Sequence, residues 1–331
     1  MDARLDALQT WLANFCEPPP TPSLISGDAS FRRYFRFQYQ GASYIAVDAP
    51  PQVEDCQWFV NVALELQQRG ITVPQVLRFD PDQGFMWLSD LGDTLLGDEL
   101  HSESVDARYH EALALLPPIR TIDSVRGTQL PKYDGKMLEF EMSLFDTWLV
   151  ENYLQLQLSP EQKHSLEQAK ALLVQSALEQ PQCGVHRDFH CRNLMRFQKK
   201  LAVIDFQGMV TGPITYDLVS LLRDCYRAWP PEQVQIWKHA IFEQMRQTGE
   251  LPKQVTYQQF YRWFDWMGIQ RHLKAAGIFC RLKLRDNKAG YLKDVALTLT
   301  YIRDVAADYQ ELAALSELIE HTVIPTWEAR Q

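Results

Sequence analysis

Apolar residues recur at helical spacing in the first sixteen positions, where Leu5, Leu8, Trp11, Leu12 and Phe15 share one stripe and predict a helix over 2–16. The proline-rich run Glu17-Pro18-Pro19-Pro20-Thr21-Pro22 ends it and leads to a short strand around Leu24-Ile25. β-rich runs follow: 34–39 and 43–48 flank Gln40-Gly41-Ala42 and predict a hairpin. A helix over 52–70 stops at Gly70, and a second hairpin joins 76–79 to 84–88 across Asp80-Pro81-Asp82-Gln83. From 102 onward the periodicity is mainly helical, over 102–116, 137–156 and 160–179, with a closing amphipathic helix over 305–320. Ser159-Pro160-Glu161-Gln162 marks one start as a capping box with proline at the first helical position. Met137, Phe140, Leu144, Trp148 and Tyr153 form a stripe expected to face the core.

One stretch interrupts the helices with chemistry. It runs Val185-His186-Arg187-Asp188-Phe189-His190-Cys191-Arg192-Asn193-Leu194 and continues to Leu201-Ala202-Val203-Ile204-Asp205-Phe206-Gln207-Gly208. An Asp precedes an Asn by five residues, and a second Asp follows a branched apolar run. Protein kinases make the same arrangement with H-R-D-x-x-x-x-N and an Asp on the next hairpin. Phosphoryl transfer needs one carboxylate to orient and deprotonate the attacking hydroxyl. It also needs an amide oxygen and another carboxylate to hold magnesium on the phosphates. Asp188 fits the catalytic role, and Asn193 and Asp205 the metal-binding roles. Runs 194–197 and 200–204 read as two strands with a turn at Gln198-Lys199, which brings Asn193 and Asp205 to one end. The alternative is a buried hairpin whose Asp and Asn only form turns.

The chain resembles the aminoglycoside phosphotransferase-like branch of the kinase superfamily. It is most similar there to the anomeric kinases of N-acetylmuramate and N-acetylglucosamine. Beside the catalytic segment, the similarity rests on residues 27–36, on Leu88-Ser89-Asp90-Leu91-Gly92-Asp93, on Gln270-Arg271-His272-Leu273-Lys274 and on Gly277-Ile278-Phe279. The resemblance implies an α+β, two-lobed protein-kinase-like fold, with a small β-rich N-lobe over 1–88, a hinge at 89–94 and a larger, mainly helical C-lobe over 95–331. It also implies ATP and Mg2+ as cofactors, a small-molecule sugar acceptor and a role in cell-wall recycling.

Residues 27–33 occupy the place of the phosphate-covering loop but hold one glycine. Ser30, Phe31, Arg32, Arg33 and Arg36 are the nucleotide-side candidates there, and Leu88, Ser89 and Asp90 are those of the hinge. An Asp, Asp48, stands where the kinase V-A-I-K strand has its phosphate-binding lysine. The expectation is that Arg33 or Arg36 neutralises it and takes over the lysine's role. Glu65 then reads as a helix-surface residue. His186 reads as packing, Arg187 as the partner of a carboxylate, and His190 and Cys191 as loop filling. Thr215 or Asp217 is expected to cap a helix reaching Trp229, with Asp217 bracing the catalytic loop. Only eleven residues separate Asp205 from Asp217, too few for a regulated activation loop, which points to a small-molecule kinase.

Arg271, Lys274, Arg281, Lys283, Arg285, Lys288 and Lys293 are opposed only by Asp286, and 271, 274, 278, 281 and 285 share one face if a helix persists there. This reads either as a solvated face or as a basic wall for an anionic acceptor, with Arg192, Arg271 and Lys274 as acceptor candidates. The net charge of −9 argues against nucleic acid or an anionic membrane as a partner. No obligate protein partner is evident. Six scattered cysteines without a C-x-x-C pair read as reduced thiols. No leader is recognisable, and no run reaches the roughly 18 apolar residues of a membrane span. The expectation is a cytoplasmic enzyme. Rival readings are another small-alcohol kinase of the same fold (for aminoglycosides, choline or homoserine) and a nucleotide-binding pseudokinase.

Overall fold

The structure, a computed structural model, describes residues 2–25 and 31–330. Residues 26–30, which include Gly27 and Ser30 of the candidate loop, lie outside the described residues. The chain divides into two units, Met1–Gln129 with Cys191–Gly208, and Leu130–His190 with Met209–Gln331.

In the first unit the predicted hairpins form. Arg33–Tyr39 pairs antiparallel with Ala42–Asp48, which pairs in turn with Phe85–Ser89, and Val76–Asp80 and Ser23–Leu24 close the two edges of the sheet. Gln40 and Gly41 take positive φ (49° and 77°), the geometry a two-residue hairpin turn requires. Alternation then turns Phe35 and Phe37 to the face where Ala46, Phe85 and Trp87 meet Leu8, Trp11 and Leu12 of the helix Ala3–Ala13. The helix Cys56–Gln68 starts at Asp55, whose side chain accepts from Trp58 N at 2.8 Å.

The hairpin Leu194–Phe197/Lys200–Val203 belongs to this unit too, with its turn at Gln198 and Lys199, both at positive φ. It is stitched on by Val203 N donating to Thr72 O (2.8 Å) and Arg196 N donating to Thr94 O (2.9 Å). The Arg196 guanidinium binds Glu99 at 2.8 Å and Glu111 at 2.6 Å.

The second unit is built on the 30-residue helix Tyr257–Asp286, against which Gly135–Leu144, Pro160–Leu178, Tyr216–Leu222 and Val295–Ala307 pack. Its two short strands, Gln182–Val185 and Val210–Pro213, pair antiparallel. The capping box forms as expected: Gln162 N donates to Ser159 Oγ (3.2 Å) and Ser159 N to Gln162 Oε1 (2.9 Å). Among the described residues no helix is long and apolar enough to cross a membrane.

Three expectations are corrected. The stripe Met137–Tyr153 faces the core only in part: Leu144 is buried and Met137, Trp148 and Tyr153 are half-buried, but Phe140 is 63% exposed, while Leu138, Met142, Phe145 and Leu149 are buried. The helix widens into a π-helix over Phe145–Tyr153, which changes the phase of its buried side. The helix at Tyr216 ends at Leu222 rather than reaching Trp229. The C-terminal segment is a helix Val295–Ala307 followed by the short helices Ala313–Leu318 and Ile324–Glu328, not one helix over 305–320.

Candidate functional site

The hairpin brings Asn193 and Asp205 together. Ile204 N donates to Asn193 O at 3.0 Å, closing the open end, and Asn193 Nδ2 lies 3.5 Å from Asp205 Oδ2. Asp205 is exposed, and it holds φ at 61°, a left-handed conformation that costs a non-glycine residue free energy and clusters at functional sites. Gln207 Nε2 donates to its Oδ1 at 2.6 Å, while Gln207 Oε1 is buried and meets no hydrogen-bond partner among the described residues. The donor set is therefore oxygen from a carboxylate and two amides, with one acceptor unsatisfied. Among the described residues no three His, Cys, Asp or Glu side chains form a metal cage. A carboxylate with neighbouring amide oxygens fits magnesium, which binds through one or two carboxylates plus phosphate oxygens and water.

The arginines of the same unit separate by partner. Asp48 is 1% exposed and accepts from Arg33 Nε (2.9 Å), as expected, and also from Arg4 Nε (2.9 Å). Arg33 is further bound to Asp2. Arg36 does not reach Asp48; it donates to Asp90 at 2.7 Å and to Asp93 at 3.0 Å, and Ser43 Oγ donates to the same Asp90. Register explains this, because Arg33 stands opposite Asp48 on the paired strand while Arg36 stands opposite Ile45. Leu88 and Ser89 end the strand Phe85–Ser89, and Phe31 is 70% exposed. Glu65 pairs with Arg69 one turn on, at 2.9 Å.

Arg32 is different. It is 4% exposed, lies 2.8 Å from Glu54 and rests over Phe59 at 5.3 Å. Burial pushes the neighbouring Tyr34 hydroxyl up to about 12; the Arg32 charge opposes that rise and Asp205 adds to it, so Arg32, Tyr34 and Asp205 share one field.

In the second unit Asp188 lies half-buried among cations. Burial by itself raises its carboxyl, but Lys274, His190, Arg271 and Arg187 outweigh that and hold it well below the usual carboxylate range. The loop is braced by Asp217, which accepts from His186 N (2.7 Å) and Arg187 N (3.0 Å), as the sequence predicts. Arg187 sits at φ 76°, a second left-handed non-glycine residue. His186 is fully buried, edge-on to Phe189.

The partner of Arg187 is Glu141, a residue sequence reasoning missed. It is 4% exposed and also accepts from Tyr133 Oη and, at 3.1 Å, from Lys274 Nζ. Lys274 donates as well to Tyr216 Oη (3.2 Å), and Gln270 Nε2 to Tyr133 Oη (2.9 Å). The available signal was an acid among the apolar residues of a helix, at Leu138-Glu139-Phe140-Glu141-Met142. Glu54 and Arg4 carried no such mark. Arg271 and Lys274 are 6% and 8% exposed, so this part of the basic face is not a solvated surface. Arg192, half-buried, belongs to the first unit, apart from these two in membership.

With this geometry in place, comparison with known proteins gives a consistent result. Residues 21–251 match the model of the phosphotransferase enzyme family. The N-acetylmuramate/N-acetylglucosamine kinase of Pseudomonas aeruginosa is 39% identical over 329 residues, covering 96% of both chains. The kinase of the same name from Neisseria meningitidis serogroup B is 38% identical, covering 96% of this chain and 95% of its own. Among solved structures, LicA in complex with AMP superposes with a TM-score of 0.61 at 12% identity, covering 92% of this chain and all of that one. Plasmodium vivax ethanolamine kinase gives 0.60 at 12%, covering 85% of this chain and 81% of that one. The chain belongs to the phosphotransferase enzyme family. Its fold, β-rich at first and mainly helical afterwards, is the kinase-like fold of those proteins, and it is a phosphotransferase acting on an alcohol group.

Proposed function

We propose that this chain transfers the γ-phosphate of ATP to the anomeric hydroxyl of N-acetylmuramate or N-acetylglucosamine. The product is a sugar 1-phosphate, suited to cell-wall recycling in the cytoplasm, where ATP is available. Near-full-length identity to two kinases of that name supports the acceptor. The juxtaposition of Asn193 with Asp205 is the observation that carries the reaction class.

Asp188 accepts a hydrogen bond from the sugar hydroxyl and takes its proton as the new O–P bond forms and the bond to the β-phosphate oxygen breaks. A carboxylate held ionised by these cations is available to accept the hydroxyl's hydrogen bond throughout the physiological pH range. Asn193 and Asp205 would hold magnesium, whose chemical contribution is to neutralise charge on the phosphates. Arg32 serves the phosphate side, and Arg271 and Lys274 lie on the acceptor side with Asp188. The cations around Asp188 disfavour a positively charged acceptor such as choline or an aminoglycoside.

Phosphorus NMR of Mg-ATP reactions with a panel of amino sugars tests the proposal. An acid-labile anomeric phosphate on one of the two named sugars is the expected product. Phosphate on a non-anomeric hydroxyl, or turnover only with choline, homoserine or aminoglycosides, would exclude it.

A further inference from the structure

Arg271 sits on the helix Tyr257–Asp286, 94% removed from solvent. Among the described residues its Nε and Nη1 meet no hydrogen-bond partner. Its guanidinium faces the ring of Tyr216 at 5.9 Å, with Asp188 and Asp224 near enough to act on its charge. Lys274, one turn along, differs: its ammonium is held by Glu141 and Tyr216. A buried guanidinium with open donors is costly, because desolvation is not returned as hydrogen bonds. Each open N–H can donate a charge-assisted hydrogen bond to a carboxylate oxygen. A bound anion would remove that cost.

Two anions could come to this place: the phosphoryl group in transfer, or a carboxylate on the acceptor. The phosphate-side groups Arg32, Asn193 and Asp205 belong to the other unit, whereas Arg271 shares its unit with Asp188, the group that meets the acceptor hydroxyl. N-acetylmuramate carries a lactyl ether carboxylate that N-acetylglucosamine lacks, and the two sugars are otherwise alike at the anomeric and acetamido positions.

We propose that Arg271 is a specificity-determining residue: an unpartnered donor of its guanidinium, Nε or Nη1, binds the carboxylate of a carboxylated acceptor sugar and sets the preference for it over the uncharged one. This rests on the amino-sugar kinase reading above.

The test is kcat/KM for both sugars in the wild-type enzyme, Arg271→Gln and Arg271→Lys, with thermal melts to establish folding. The ratio of N-acetylmuramate to N-acetylglucosamine is expected to fall about 10–100-fold in Arg271→Gln, the loss of one charge-assisted contact. The fall should lie mainly in KM. Arg271→Lys, which keeps the charge without the guanidinium donors, should fall between the two. An unchanged ratio overturns the proposal, whether both rates drop together, as for a phosphoryl clamp, or neither drops. If the wild type phosphorylates neither sugar, the kinase reading falls separately. Calorimetric titration of the nucleotide-free protein with N-acetylmuramate then decides: heat lost in Arg271→Gln upholds the carboxylate site, and absence of wild-type heat overturns it.

Discussion

Arg32 and Glu54 form an ion pair of 2.8 Å whose guanidinium is 4% exposed, in the unit that also carries Asn193 and Asp205. Kinases hold a strand lysine with a helix glutamate. Here the strand position is Asp48, and its charge is answered by Arg33 and Arg4. We propose Arg32, held by Glu54, as the cation that meets phosphate. Arg32→Ala is expected to raise the KM for ATP tenfold or more, a charge-assisted contact being worth about 1.5–3 kcal/mol. Arg36→Ala should act chiefly on stability, through Asp90. Steady-state kinetics at saturating acceptor check this, and an unaltered KM in Arg32→Ala would reject it.

Asp188→Asn is expected to fold normally and lose about 10²–10⁴-fold in kcat, the range for a positioned general base. The sign of its pH dependence follows from its surroundings. Its folded pKa is depressed, so the carboxylate stays ionised through the range where ordinary carboxylates titrate, roughly pH 3.5–5. The wild-type pH profile should therefore show no acid limb from Asp188 there. Lys274→Met removes the cation that lowers it most and should move such a limb upward into view. A profile unmoved by that substitution would mean Lys274 does not set the Asp188 charge.

His272 gives the fold an acid-sensitive point. It is fully buried, its Nε2 meets Arg223 O at 3.0 Å, and it stacks on Tyr301 with ring centroids 4.8 Å apart. Burial pushes its pKa down to about 3; the Arg223 carbonyl resists that, and the charges of Arg271 and Arg223 add to it. The unfolded chain titrates near 6.5, so between about 6.5 and 3 it binds the proton that the folded chain refuses. Stability is therefore complete above the unfolded value and falls with pH across that window, by at most roughly 1.4 kcal/mol per pH unit. Urea midpoints of wild type and His272→Gln between pH 7 and 5 should converge as the pH drops. Parallel curves would remove His272 as the cause.

Gly277 lies where the long helix crosses the start of the π-helix. A Cβ there would meet Phe145 N at 2.6 Å and the Leu144 carbonyl group closer still. These are backbone atoms in a packed crossing, so they cannot turn aside. Gly277→Ala should destabilise by about 1–3 kcal/mol or more through overpacking, read as a lower denaturant midpoint. A variant as stable as the wild type would mean that the helices can separate freely.

What was legible without coordinates was local. The hairpin of 194–203, the meeting of Asn193 with Asp205, the capping box at Ser159 and the two sheet hairpins follow from turn chemistry and alternation over a few residues. Asp217 bracing the loop was also anticipated. The partners of the charged groups were not legible. Arg187 and Glu141 are 46 residues apart, Arg4 and Asp48 are 44 apart, and no spacing rule joins them. Which arginine answers Asp48, and which is left with open donors, is decided by packing, since a buried charge takes whatever opposite group the fold carries to it. The spacing of charges put Arg271 on one face of a helix, and only tertiary structure made that residue buried, with two of its donors unpartnered.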